Sequence, residues 1–496
     1  MLPAVERWTS GVRFCRWARL PRGKVADPDR TAPCRFGIGC AAVACCLAAA
    51  PALGAEYAFG GGYSLSYDSN INRVPADTLL SDGTHLRPHS DWTQQVFGGF
   101  VYQEHTVDVN AQLLAQVERR DYLHKAYAGD FGAYVNGAGV WTILPRFFSW
   151  SFEELYREAR LDVTGADVPS NRVKTNTLNT GPDLNFRLDA TNSAVLGTRY
   201  SRFDIDGPGD NVRYSGYARF LHQMSPLTTL SLNYEPMRVY FQSGAVYSHI
   251  LRVDSFVRFD TRPLPNNVVI DAGTTLVTRE GAKDLNGRLV RVTAARQLTP
   301  DSALQVTLAE QYSDTFTDTL RGVTSATVPG ETAGLVATDL ISGDVYYSRR
   351  GELAYTSGQA DSPMAYALRG YARRVEFQEQ TNFDNDERGG RFDLAWRYAG
   401  PRQQIYAYTT YVKRTFWNVN ADPAKRPATL VPNQEDVERN STVGATWAFS
   451  QTMTVSLEGG RISRTTTGPL GGSVDWRAML LLGYSTGPLF DPRSRR

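Results

Sequence analysis

Glu56-Tyr-Ala-Phe-Gly-Gly-Gly-Tyr-Ser-Leu-Ser-Tyr-Asp-Ser-Asn-Ile-Asn-Arg73 sets the pattern that the rest of the chain repeats. Tyr57, Phe59, Tyr63, Leu65 and Tyr67 fall on one parity; Ala58, Gly60, Gly62, Ser64, Ser66 and Asp68 fall on the other. A strand sends alternate residues to opposite faces, so this stretch has one aromatic, apolar face and one small, polar face. Asp68-Ser69-Asn70 and Asn72 then offer side-chain bonds to nearby backbone, which favours a turn over continued ladder.

Residues 1–55 read as a secretory signal peptide. Arg7, Arg13, Arg16, Arg19, Arg22, Lys24, Arg30 and Arg35 make a long basic region, and an uncharged run of small and apolar residues follows from Phe36 to Ala55. The length of the basic region is what a start codon placed too far upstream would produce. All 5 cysteines (Cys15, Cys34, Cys40, Cys45 and Cys46) lie in this leader, so a mature chain from Glu56 has neither a disulfide framework nor a thiolate metal site. Its formal charge is about −3, which gives no reason to expect a nucleic-acid partner.

Downstream the alternation continues. Val107, Val109, Ala111, Leu113, Ala115 and Val117 alternate with Asp108, Asn110, Gln112, Leu114, Gln116 and Glu118; Leu251, Val253, Val257 and Phe259 alternate with Arg252, Asp254, Arg258 and Asp260. Phe392, Leu394, Trp396 and Tyr398 do the same against Arg391, Asp393, Ala395 and Arg397. Several such runs exceed the usual ~5–6 residues of globular strands and reach the ~9–11 that a transmembrane strand needs. The connections alternate too. Asp68–Asp91, Arg119–Gly129, Leu161–Val173, Ser313–Gly343, Glu379–Arg388 and Asn418–Glu438 are long, whereas Gln103–Thr106, Leu144–Arg146, Asp189–Asn192, Gln297–Ser302 and Ser450–Thr452 are tight. Short periplasmic turns alternating with longer outside loops describe a bacterial up-and-down barrel. The reading is an all-β transmembrane antiparallel β-barrel of about 20 strands (18–22) over residues 56–490, with a tail at 491–496. Ser151-Phe-Glu-Glu-Leu-Tyr156 also reads as a helix start with a capping box, but strand assignment preserves the loop parity.

The polar parity carries the chemistry. Arg252, Asp254, Arg258, Arg369, Tyr371, Arg373, Arg391, Asp393 and Arg397 are candidates for lining a lumen, because a lipid-facing Arg near the midplane costs roughly 2–4 kcal/mol. Their role is either solute selectivity or simple hydration and bracing of the wall. Of the 25 Tyr, 22 Phe and 9 Trp, many lie near strand ends, as interface girdles do, among them Tyr57, Tyr67, Trp92, Tyr102, Trp141, Trp150, Trp417 and Tyr484, and an inward Tyr371 is also a candidate for stacking on sugars. Asp68, Asn70 and Asn72 space like the start of a calcium loop, but Arg73 and Leu79 occupy its sixth and twelfth positions, so a turn is the better reading. His85 and His89 flank Pro88 in a surface loop, and Asp384, Asp386 and Glu387 read as solvated loop charge. With no nucleophile elbow, zinc motif or phosphate loop, no catalytic residue, metal site or cofactor is expected.

Tyr67-Asp68-Ser69-Asn70-Ile71-Asn72-Arg73, after a signal peptide, resembles the opening of the porin-2-like family of outer-membrane β-barrels in Gram-negative bacteria. Asn176-Thr-Leu-Asn-Thr-Gly-Pro-Asp183, followed by Gly197-Thr-Arg-Tyr200, is similar to a second family segment. A like opening begins the barrel of surface-lipoprotein assembly modifiers, but this chain has no room for their helical-repeat domain. The resemblance implies a cell outer membrane location, reached through the periplasm and the barrel assembly machinery, among outer-membrane lipid and lipopolysaccharide. It also implies proximity to saccharide or exopolysaccharide system proteins. The expected function is a porin-like channel for polar solutes or saccharides; an exopolysaccharide assembly accessory is the alternative, and an outer-membrane enzyme a third reading. Ser313–Gly343, the longest loop, is expected to fold inward as a constriction.

Overall fold

In the computed structural model the described residues are 55–75, 78–79, 85–160, 168–206, 209–242, 247–314, 316–317, 344–358, 362–399, 403–469 and 471–487. Of the expected signal peptide (1–55) only Ala55 is among them, and the tail, Phe490 and most of Ser313–Gly343 lie outside them. Twenty long strands form one antiparallel sheet. They are β1 (Ala55–Asp68), β2 (Asp91–His105), β3 (Val109–Tyr122), β4 (Asp130–Leu144), β5 (Phe148–Arg160), β6 (Arg172–Arg187), β7 (Asn192–Ile205), β8 (Asn211–Ser225), β9 (Thr228–Phe241) and β10 (His249–Thr261). They continue as β11 (Asn266–Arg279), β12 (Leu285–Thr299), β13 (Ser302–Ser313), β14 (Tyr346–Ser357), β15 (Met364–Phe377), β16 (Asn385–Arg397), β17 (Gln404–Phe416), β18 (Gln434–Ala448), β19 (Met453–Thr466) and β20 (Ser473–Ser485). Each pairs with its sequence neighbours, and β1 pairs with β20 as well as β2, so the sheet closes on itself.

Length and parity explain the shape. Strands of 12 to 16 residues, tilted as barrels require, stand roughly 30–40 Å tall, more than an outer-membrane hydrocarbon layer needs. One parity of each carries the large apolar side chains left exposed: Tyr57, Phe59, Val96, Val117, Phe131, Leu232, Leu353, Leu368, Val443 and Leu482 among them. The other parity buries polar groups, including Asp91, Gln116, Arg213, Arg252, Asp254, Asp271 and Asp436. An apolar outer wall around a polar interior is the arrangement of a transmembrane barrel. The Ser151–Tyr156 segment lies within β5, as the loop parity requires.

The tightest turns lie at one end with the start of β1, for example at 106–108, 226–227 and 300–301. The strand ends joined by the longest connections, Asp68 to Asp91, Arg160 to Arg172, Ser313 to Tyr346 and Phe416 to Gln434, lie at the other. Exposed Tyr57, Trp141, Trp150, Trp396, Trp447 and Tyr484 mark the short-turn end of the outer wall.

The seam between first and last strands is tied at the long-loop end by the 67–73 segment. Ser69 N–H donates to the Trp476 carbonyl (3.0 Å), and Trp476 N–H donates back to Ser69 Oγ (2.8 Å). Asp475, 1 % exposed, accepts from the Asn70 N–H (3.0 Å), Ser69 Oγ (3.3 Å) and Arg477 Nε (3.0 Å). Arg477 also pairs with Asp68. Asn70 Nδ2 donates to the Val74 carbonyl (2.8 Å), and Asn72 bonds the backbone of Arg87 and His89. The segment is therefore a turn, as its Asx residues indicate, and its further job is to lock the closing strand pair. Asp475→Ala removes the acceptor of the buried Asn70 N–H and of the Ser69 hydroxyl and should cost about 1–3 kcal/mol. Heat-modifiability on semi-native gels should show the variant losing its compact band at a lower temperature than wild type, whereas an unchanged transition would remove the lock.

Candidate functional site: the inner wall and mouth

The inner wall is built from paired charges. On β10, β11 and β12, Arg252 chelates Asp254 (2.7 Å), which accepts Thr275 Oγ1 (2.7 Å). Arg291 bridges Asp254 (3.5 Å) and Asp271 (3.3 Å), and Arg258 closes on Asp271 (2.7 Å). Register explains the ladder, because Arg258, Asp271 and Arg291 face one another directly on adjacent strands. Farther round, Arg391 pairs with Asp393 (2.6 Å) and lies over the Tyr408 ring, Arg397 donates to the Ser362 carbonyl (2.9 Å), and Arg373 lies over Tyr346. Arg369 stands on the same parity of β15 as Tyr371 and Arg373. The nine sequence candidates thus share the polar parity but split into several separate arcs.

Tyr371 behaves differently from a presented sugar platform. It is buried, lies across Gly389 on the neighbouring strand and donates its hydroxyl to Glu387 (2.9 Å). Two other places repeat the device. Tyr217 lies over Gly197 and bonds Asp183, and Tyr406 lies over Gly444 and bonds Glu458. In both, the glycine sits directly between tyrosine and carboxylate in the cross-strand register. A side chain on these glycines would occupy the ring's place, since a Cβ on Gly197 would come within 2.3 Å of the Tyr217 ring. Each tyrosine therefore braces strands through a bond to an acceptor.

Two acidic groups depart from the sequence expectation of solvated loop charge. Glu387 is buried on β16 between Tyr371 and Arg414 Nε (2.8 Å). Asp384, 3 % exposed, accepts the Phe377 N–H (2.6 Å) and Asn418 Nδ2 (2.7 Å), tying two long-end loops together. Burial holds its carboxyl above the ordinary range despite these bonds. Only Asp386 fits the solvated description, half exposed beside Arg374. Local composition gave no warning, because the partners come from neighbouring strands and loops.

The mouth shows what spacing cannot reveal. Asp314, just past β13, pairs with Arg213 on β8, five strands away (2.7 Å). The Arg213 guanidinium also stacks on Phe316 (4.0 Å to the ring centre), and Phe316 packs edge-on against Phe203 of β7 (5.6 Å). At the other root, Val345 packs with the inward Val239, Ile250 and Val277 of β9, β10 and β11. The Asp344 carboxylate receives the N–H groups of Glu379 and Gln380 (2.8 and 2.9 Å). The described roots of the longest connection therefore turn in over the inner wall; the intervening 318–343, where the constriction was expected, lies outside the described residues.

A cavity of about 510 Å³ opens on the arc formed by β17 to β20 and β1 to β3. Ser64, Ser66, Thr93, Gln95, Asn440 and Thr442 line it with hydroxyls and amides, Asp68, Arg120, Glu458 and Arg477 with charge, and Tyr122 and Tyr408 with rings. Ile71 and Pro169 cover it from the loops. Its size falls in the ordinary range for a small-ligand site, and its lining can both donate and accept hydrogen bonds. Among the described residues no group of His, Cys, Asp and Glu is arranged to hold a metal ion.

The chain matches no protein-family model and no curated protein. Among solved structures it is similar in fold to the Pseudomonas aeruginosa OccK1 (OpdK), at 12% identity, over 87% of this chain and 98% of that one, with a TM-score of 0.35. It is also similar to a variant of the ferric enterobactin receptor PfeA of Pseudomonas aeruginosa (9% identity, 86% and 80%, TM-score 0.43). A third is the siderophore receptor PirA of the same organism (9%, 86% and 80%, TM-score 0.39).

For Asp314, burial pushes the carboxyl up, but the charge and bonds of Arg213 and Thr317 outweigh it and hold the group below the ordinary carboxylate range. The Arg213–Asp314 pair therefore contributes stability above the normal carboxylate pKa and loses it as pH falls through the depressed value. Arg213→Met should cost roughly 3–5 kcal/mol, because it strands a buried charge. Arg213→Met with Asp314→Leu should recover much of that, and denaturant unfolding at neutral pH separates the two.

Proposed function

We propose that the chain is an outer-membrane, porin-like channel that passes polar solutes, saccharides among them, without covalent chemistry. The observation that carries this reading is the closed, apolar-walled barrel of 20 strands whose interior presents the polar 510 Å³ cavity. Barrels of 16–18 strands already leave an aqueous channel, so this one has room for solute beside an inward-turned mouth. Hydroxyls, amides, carboxylates and tyrosine rings suit a neutral sugar, which needs many weak donors and acceptors and a flat apolar face. The candidates Arg252, Asp254, Arg258, Arg369, Arg373, Arg391, Asp393 and Arg397 shape the wall's field, while Tyr371 braces it. The resemblance of residues 67–73 and 176–200 to exopolysaccharide-associated barrels is consistent with a sugar cargo.

The test is single-channel conductance of the mature chain in a planar bilayer, with oligosaccharides added to one side. Steady conductance interrupted by the sugars is the expected result. Asn440→Ala with Thr442→Val, which strips bonding groups from the cavity but leaves its charges, should shorten the blocked dwell times severalfold without altering open conductance. A folded barrel that carries no current would overturn the channel and favour an assembly accessory.

A further inference from the structure

The outer wall carries a charge pattern that neither folding nor solute passage uses. On six consecutive strands, β14 to β19, the outward parity near the long-loop end bears Arg349, Arg374, Arg388, Lys413, Arg439 and Arg461. Cross-strand register makes them one band: Arg349 faces Arg374, Arg388 faces Lys413, Tyr411 faces Arg439, and Arg461 faces Trp476. Glu376, Asp386 and Glu435 share that outward band, and the closest pairs are Arg374–Glu376 (2.9 Å) and Lys413–Glu435 (2.8 Å). Arg388, Arg439 and Arg461 are exposed and have no carboxylate partner among the described residues; Arg439 and Arg461 rest on the Tyr411 and Trp476 rings. The chain thus supplies carboxylates to Arg349, Arg374 and Lys413 but leaves Arg388, Arg439 and Arg461 open to an anion from outside.

Its height identifies the anion. Below Arg388 the outward side of β16 carries Gly390, Phe392, Leu394 and Trp396. That run climbs roughly 21 Å at ordinary rise and tilt, close to the ~25 Å apolar band of such barrels. At the short-turn end the outward residues of these strands are uncharged: Tyr355, Met364, Trp396, Ile405, Trp447 and Met453. The cations thus stand at one membrane surface only, the one bearing the long loops, with ring faces beside them where headgroup meets acyl chain.

We infer that the outward face of β14–β19 is a binding site for a phosphorylated glycolipid of the outer leaflet. Arg388, Arg439 and Arg461 hold its phosphates, and Tyr411 and Trp476 pack against its sugar and upper acyl region. This rests on the outer-membrane placement proposed above but not on conduction. Arginine's fork suits phosphate oxygens, and two-pronged pairs are stronger than point contacts.

The experiment uses the full mature barrel in phosphatidylethanolamine vesicles with and without lipid A, reading the melting temperature by tryptophan fluorescence. Lipid A should raise wild-type melting by several degrees. Arg388→Gln with Arg439→Gln and Arg461→Gln should lose most of that rise while melting like wild type in vesicles lacking lipid A. Arg238→Gln with Arg288→Gln, exposed outward cations on β9 and β12 outside the site, should keep it. A triple variant that keeps the rise, or a control pair that loses as much, overturns the site. Inorganic phosphate giving the same rise in wild type but not in the triple variant would make the occupant free phosphate and overturn the lipid assignment. Because no current is measured, a negative result here is separate from failure of the channel reading.

Discussion

Backbone hydrogen bonding in lipid is the constraint on which the rest of this molecule depends. In hydrocarbon each unpaired N–H or C=O costs several kcal/mol, so a sheet crossing a bilayer must have no edge. The chain meets this by returning β20 to β1 in a register running from Gly60–Ser485 to Asp68–Arg477. Closure brings together residues about four hundred positions apart, and the entropy of doing so falls on a single seam. The side-chain knot of Ser69, Asn70 and Asp475 is placed at that seam, where local ladder bonds alone would be most prone to fray.

Once closed, the barrel has an interior that cannot be filled with apolar side chains without erasing the polarity that water or solute requires. The inner wall instead places carboxylates opposite guanidiniums, as in Arg252–Asp254–Arg291–Asp271–Arg258. Such a ladder offsets the desolvation of each charge locally, and removing one member would strand the others. The tyrosine-over-glycine braces achieve the same with one neutral donor and one acceptor. Toward the mouth the logic changes, because Val239, Ile250, Val277, Phe203 and Ile205 face inward and receive Val345 and Phe316. Inward apolar residues at that level make sense only as seats for chain that turns in.

Much of this was legible in the sequence. Alternation over runs such as 107–118 and 251–260 depends on the strand's own period of two, so strand identity, facing and loop parity could be read without knowing any neighbour. The strand count followed from counting turns. Register is set between strands, and everything that depends on it stayed hidden: the burial of Asp384 and Glu387, the use of Tyr371 as a brace, and the reach of Asp314 to Arg213. A signal existed for the braces, since Gly197, Gly389 and Gly444 interrupt otherwise bulky strands, and a glycine inside a strand marks a close approach. For Arg213 there was none, because its partner is a hundred residues away in a loop.

Pairing also bears on selectivity. Opposite charges held about 3 Å apart in the ladder cancel beyond a few ångströms, and salt within the lumen screens what remains over a Debye length of about 8 Å. A wall built this way discriminates weakly by net charge. Hydrogen-bond geometry at the cavity on β17–β20 and β1–β3 is not screened in that manner, and its hydroxyls, amides and rings are fixed on rigid strands. The proposed channel would therefore select by hydrogen-bond geometry more than by net charge, and of the outward cations of β14–β19 it is Arg388, Arg439 and Arg461, without a carboxylate partner among the described residues, that are left for the proposed lipid.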